Sequence, residues 1–88
     1  MWIVLPAYNE SKIIQEVIKE IQDAGYRKII VVDDGSQDNT YEVARALPDV
    51  IALRHKINRG KGAATKTGME AAKYLGGEII VTMDSDGQ

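Results

Sequence analysis

An α/β fold built on a parallel sheet is predicted by three features of the chain. Short, continuously apolar runs recur along it, helix-period segments separate them, and no hairpin signal joins any two runs. The alternation reads β-α-β-α-β-α-β. Strands apolar on both sides need cover on both sides, so three layers are expected. Right-handed crossovers make 3-2-1-4 the expected strand order, with a switch point between strands 1 and 4.

Trp2-Ile3-Val4-Leu5 is the first apolar run, and Pro6 is expected to stop it. From Ser11 the period changes. Ile14, Val17, Ile18 and Ile21 recur at helical spacing, Lys and Glu fill the other face, and Gly25 is a natural stop. Lys28 to Val32 is the second run, leading into Asp33-Asp34-Gly35-Ser36. A helix should then begin near Asp38 or Asn39, with Glu42 completing a capping-box-like pattern, and end at Pro48. Val50 to Leu53 is the third run. The helix expected over Lys61 to Leu75 carries a small-residue face, Ala64, Gly68, Ala71 and Ala72, suited to close packing on a sheet. Gly76-Gly77 breaks it, and Glu78 to Met83 is the fourth run.

Composition excludes several classes of function. The 88 residues fit one small domain, which buries about 60% to 65% of its unfolded surface and has a thin stability margin. A net charge of −2 without basic runs argues against nucleic acid or an anionic membrane surface as partner. Without cysteine there are no disulfides, thiolate nucleophiles or zinc–cysteine sites, which fits a reducing, cytoplasmic setting. No apolar run approaches the roughly 18 to 20 residues that span a bilayer, and no signal-peptide pattern opens the chain.

Polar residues gather where the apolar runs end, which is where open parallel sheets bind ligands. Tyr8, Asn9 and Glu10 follow the first run, Asp33 and Asp34 the second, Asp84 and Asp86 the fourth. Carboxylates placed side by side raise one another's pKa unless a cation or donors compensate. Asp84-Ser85-Asp86 offers hard oxygen ligands of the kind magnesium and manganese take together with substrate phosphates. Each residue also has a plainer reading. Pro6 can simply end a strand, Tyr8 can pack on the rim, and Asp33 is better suited to a turn than to a ligand. Arg59 and Lys61, near the start of the third helix, can hold a phosphate or stay solvated. His55, the only histidine, is expected to be an exposed loop residue without a role.

Taken together, Pro6-Ala7-Tyr8-Asn9-Glu10, Val31-Val32-Asp33-Asp34-Gly35-Ser36 with Asp38 and Thr40, Asn58-Arg59-Gly60-Lys61-Gly62 and Met83-Asp84-Ser85-Asp86-Gly87-Gln88 resemble the family 2 glycosyltransferases of the GT-A fold. The likeness covers essentially the whole chain, and four motifs in the right order make it specific. The Asn-x-Gly-Lys-Gly and Asp-x-Asp-x-Gln forms are most similar to the polyprenyl-phosphate branch, which includes dolichol-phosphate mannose synthases. The resemblance implies that residues 1–88 are the Rossmann-like, nucleotide-sugar-binding N-terminal half of such a domain, truncated after the Asp-x-Asp motif.

The same resemblance implies roles for individual residues. Pro6, Tyr8 and Glu10 would hold base and ribose, while Val32 and Asp34 would contact the base, Asp34 accepting from a ring N–H. Asp84 would lie near ribose and metal, and Asp86 and Gln88 would ligate Mg2+ or Mn2+. Asp84 and Asp86 are thus the expected catalytic pair. The implied reaction is metal-dependent transfer from a GDP- or UDP-linked sugar with inversion. A polyprenyl phosphate acceptor is already ionised, whereas a sugar hydroxyl would need an acidic base lying beyond Gln88. The 88 residues alone are expected to bind the donor without transferring it and to form homo-oligomers, the full-length parent associating with the cytoplasmic face of a membrane.

Other readings fit less well. A dinucleotide-binding domain needs G-x-G-x-x-G after the first strand, and a P-loop needs a glycine five residues before Gly60; neither is present. A haloacid-dehalogenase-type phosphatase would use Asp84-Ser85-Asp86-Gly87 as its nucleophile loop, but that loop usually follows the first strand. A nucleotide-binding module without catalysis is the remaining alternative.

Overall fold

The computed structural model describes residues 1–77 and, as backbone, residues 80–82. The elements are β1 (Trp2–Ala7), α1 (Ile14–Asp23), β2 (Ile29–Asp34), α2 (Thr40–Arg45), β3 (Val50–His55), α3 (Lys61–Tyr74) and β4 (Ile80–Thr82). The α/β class and the parallel sheet expected from the sequence are what these residues form. β1 lies beside β2 from Ile3↔Ile29 to Ala7↔Asp33, and β2 beside β3 from Ile29↔Val50 to Asp34↔His55, all parallel. Beyond β1, the three residues of β4 pair from Trp2↔Ile80 to Val4↔Thr82, so the sheet runs β3-β2-β1-β4. Part of the strand expected over Glu78 to Met83 lies outside the described residues.

Strand alternation divides the core in two. Ile3, Leu5, Ala7, Ile29 and Val31 face α1 and α2, packing with Ile14, Ile18, Ile21 and Ala44. Ile30 and Val32 face α3 and meet Ala64 and Ala72. Each isoleucine of α1 taken fully from water stabilises the fold by about 1.5 to 3 kcal/mol. On the other face, close approach replaces bulk. A methyl group on Gly68 would run into Val4 Cγ1 and come within 3.2 Å of Val32 Cγ2, so α3 can lie on β1 and β2 only with glycine there.

Two boundary expectations need correction. Pro6 does not end β1, which continues to Ala7. The Ile3 N–H donates to Lys28 O on the β2 side, so by alternation Pro6, like Val4, turns its nitrogen toward β4. The described pairing with β4 has already stopped at Val4, and the missing N–H removes no described bond. The Asn39–Glu42 capping box is also not formed, since Asn39 makes no side-chain cap bond. Asp38 Oδ1 instead accepts from the Thr40 N–H at 3.0 Å. Among the described residues, no helix is long and apolar enough to cross a membrane.

Candidate donor site at the carboxyl ends of the strands

The loops leaving β1 and β2 are stitched to each other. Asn9 N–H donates to Ser36 Oγ at 2.8 Å, and Gln37 N–H returns a bond to Asn9 Oδ1 at 2.8 Å. Glu10 N–H donates to Thr40 Oγ1 at 2.9 Å, and Ser11 N–H to Asp38 Oδ2 at 3.3 Å. Asn9 adopts the left-handed conformation, φ 51°, which asparagine tolerates better than most residues and which turns the chain here. These bonds hold Tyr8, 42% exposed, and half-buried Glu10 at the rim. Burial works against ionisation of Asp38, but hydrogen bonds from Thr40 and Ser11 outweigh it and hold its carboxyl below the usual range.

Asp33 and Asp34 share the rim but point to opposite faces, because successive strand residues alternate. Asp33, on the α2 face, accepts from Ser36 Oγ and lies 3.6 Å from Arg54 Nε, its partner across the β2–β3 ladder. Arg54 also reaches Glu42 at 3.5 Å and lies over the Tyr41 ring. This is the turn-and-scaffold role that the sequence favoured for Asp33.

On the α3 face, Asp34 is 3% exposed. Its Oδ1 accepts from Arg59 N–H at 2.9 Å and pairs with His55 Nδ1 at 2.8 Å, while its Oδ2 accepts from Gly60 N–H at 2.8 Å. Burial pushes the Asp34 carboxyl up. The Arg59 and Gly60 amides and the His55 ring pull it down by more, and it titrates below the usual carboxylate range. Asp34 therefore ties the turn before α3 to the end of β2. The 57–58 backbone passes over Gly35, where a methyl group would lie 2.5 Å from Asn58 N.

The predicted site residues consequently fall into three groups. Tyr8, Glu10 and Asp34 lie together on the rim. Pro6 and Val32 are neighbours in register but are both buried, and Val32 has no exposed surface, packing instead beneath α3. Its expected contact with a base is not available in this arrangement. Asp84, Asp86 and Gln88 lie outside the described residues, among which no cluster of His, Asp or Glu could hold a metal. His55 requires a correction: it is buried, belongs to β3, and bonds Asp34 and Thr67. Its position across the ladder from Asp34 was the available signal, but only once β3 is extended past Leu53.

The family model described as glycosyl transferase family 2 matches residues 2–88. The chain belongs to glycosyl transferase family 2. A UDP-N-acetylglucosamine–dolichyl-phosphate N-acetylglucosaminyltransferase of Methanococcus voltae is 41% identical over all of this chain and 41% of its own length. A dolichyl-phosphate beta-glucosyltransferase of Trichomonas vaginalis is 33% identical over 97% of this chain and 30% of its own length. A poly-beta-1,6-N-acetyl-D-glucosamine synthase of Staphylococcus epidermidis is 32% identical over 94% of the chain and 21% of its own length. The family 2 chain thus spans about two fifths or less of these curated relatives. Family 2 membership over residues 2–88 also removes the ground for a phosphatase.

Proposed function

We propose that this chain forms the donor side of a glycosyltransferase that moves a sugar from a nucleoside-diphosphate sugar to a polyprenyl phosphate. The observation that carries the reading is the stitched rim, which holds Tyr8 and Glu10 on the loop leaving β1, at the same end of the sheet as Asp34 at the close of β2, in a family 2 chain. The likeness to the Methanococcus voltae enzyme, named for a UDP-linked donor and a dolichyl-phosphate acceptor, favours UDP over GDP and supports this acceptor class.

Tyr8 would flank the base, Glu10 the ribose, and Pro6 would shape the floor. Asp34, a carboxylate with about four acceptor positions, uses three of them among the described residues, which would leave one on Oδ2 for a ring N–H that reaches this nearly buried side chain. Asp84 and Asp86, with Gln88, would hold Mg2+ or Mn2+, whose charge offsets that of the departing diphosphate. Attack with inversion by an already ionised phosphate oxygen needs no strong base. The sheet order 3-2-1-4, carried through a full fourth strand, would bring the Asp84 loop beside the β1 loop. Self-association belongs to the same proposal, because among the described residues β3 pairs only with β2 and leaves an open ladder.

Titration calorimetry with UDP and GDP, each with and without manganese, tests the reading. UDP should bind with a dissociation constant on the order of 0.1 to 1 mM, since half a pocket leaves much of the ligand wet. No heat far above that range, from a folded chain with manganese present, would defeat it.

A further inference from the structure

We propose that His55 and Thr67 are positioning residues that aim the Asp34 carboxylate, fixing the 57–60 turn and leaving one oxygen position for a nucleotide-base N–H. The second half of this statement rests on the donor-site reading; the first half does not.

The geometry is a chain of three side chains from three elements. His55 Nδ1 lies 2.8 Å from Asp34 Oδ1, and His55 Nε2 lies 2.9 Å from Thr67 Oγ1 on α3. Thr67 Oγ1 is also 3.0 Å from the Ala63 carbonyl one turn earlier in the helix. An ionised carboxylate only accepts, so Nδ1 carries a proton and donates to Asp34. Burial and three donors leave Asp34 with little rotational freedom, and the His55 ring sets its plane. A threonine hydroxyl both donates and accepts. With a neutral ring it donates to Nε2; with a charged ring it accepts from Nε2 and donates to Ala63 O. Thr67 therefore holds the ring in either state, and the aim of Asp34 does not depend on the charge of His55.

The consequence reaches the ligand side. Without the ring, Asp34 would be free to turn and could satisfy Arg59 and Gly60 only in part. The turn that carries Asn58 and Arg59 into α3 would then loosen, and the spare Oδ2 position would no longer face one direction.

Three variants test this in the same chain. Thr67→Val removes the hydroxyl at nearly constant shape, Thr67→Ser restores it, and His55→Asn keeps a donor near the Nδ1 position while losing Nε2. Hydrogen exchange of the Arg59 and Gly60 amides is read against core amides of β1, which report an intact fold. Affinity is compared between UDP and UDP methylated at N3 of the base. Thr67→Val and His55→Asn should each lower protection at Arg59 and Gly60 by about tenfold, the scale of one hydrogen bond to a charged group. They should also erase the preference for UDP over its methylated form, and Thr67→Ser should restore both. Unchanged protection and unchanged preference in Thr67→Val and His55→Asn overturn the proposal. Should a variant fail to fold, the parent decides the question by nitrogen-resolved NMR of His55. A slowly exchanging Nδ1 proton supports the bridge, and a freely exchanging one overturns it. A parent that binds no nucleotide while the exchange results hold would sink the donor-site reading and leave the positioning of the turn standing.

Discussion

Asp34 and His55 face each other directly across the β2–β3 ladder, with Oδ1 and Nδ1 2.8 Å apart. One residue earlier, Asp33 and Arg54 are likewise paired across the ladder on the opposite face, as a looser ion pair at 3.6 Å. The Asp-Asp pair that ends β2 is therefore shared between two layers. One carboxylate anchors the turn into α3, and the other braces the loop into α2. Both loops flank the rim where Tyr8 and Glu10 sit, so the rim is held from both sides of the sheet.

Replacing Asp34 should cost stability as well as ligand. Asp34→Ala releases the Arg59 and Gly60 amides and leaves His55 buried without its acceptor. A loss of about 1 to 3 kcal/mol is expected, the cost of one unsatisfied buried donor at His55, since exposed Arg59 and half-buried Gly60 can turn their amides to water. Urea denaturation of the two chains measures it.

Acid should expose the same bonds. The folded-state pKa values of Asp34 and Asp38 lie below the ordinary aspartate value of 3.8. Their contribution to stability is thus complete above that value and lost as pH falls through the lower folded values, since the unfolded chain takes up protons first. The pH dependence of stability should flatten in this acid window in Asp34→Asn. An unchanged acid limb would mean that the carboxylate is not held as described.

Gly35→Ala should act on the turn rather than on the core. Gly35 has φ 73°, and its added methyl group would meet the Ile57–Asn58 backbone. The expected result is a displaced 57–60 turn, a stability loss of about 1 to 3 kcal/mol, and weaker protection at Gly60. Exchange measured by NMR would show whether the change is confined to that turn.

The strands and helices were legible because continuous apolar runs and a 3.6-residue period are local properties. The small-residue face of α3 was legible for a related reason: small side chains let a helix lie close to a sheet, and at Gly68 even the methyl group of alanine would meet Val4. The chemistry of the rim was harder to read. Ser36, Asp38 and Thr40 lie close in sequence to one another but bond the 9–11 segment, more than 25 residues earlier, and no local pattern encodes such a partner. His55 was missed because polar Arg54 made β3 look as though it ended at Leu53. In fact the strand continues, because Asp33 and Asp34 give both Arg54 and His55 a partner. Val32 shows the reverse: a motif position implied a ligand contact, while its place in the strand put it under a helix.

The last prediction separates the two ends of the proposed site. In the proposed site Asp34 would serve the base, while Asp84 and Asp86 would serve the metal and diphosphate. These contributions should be separable, because groups that share no binding partner act nearly independently. In calorimetry with UDP, Asp34→Ala should weaken binding by a similar factor with and without manganese. Asp84→Asn or Asp86→Asn should leave metal-free binding at or somewhat above the parent value, since a repelling charge is gone, and remove the gain that manganese brings. Metal and nucleotide should accordingly bind better together than separately in the parent, because the cation offsets the repulsion between acidic side chains and diphosphate. If Asp86→Asn retained the full manganese effect, the ion would have to be held elsewhere, and the assignment of the Asp84–Gln88 segment as its binding loop would fall.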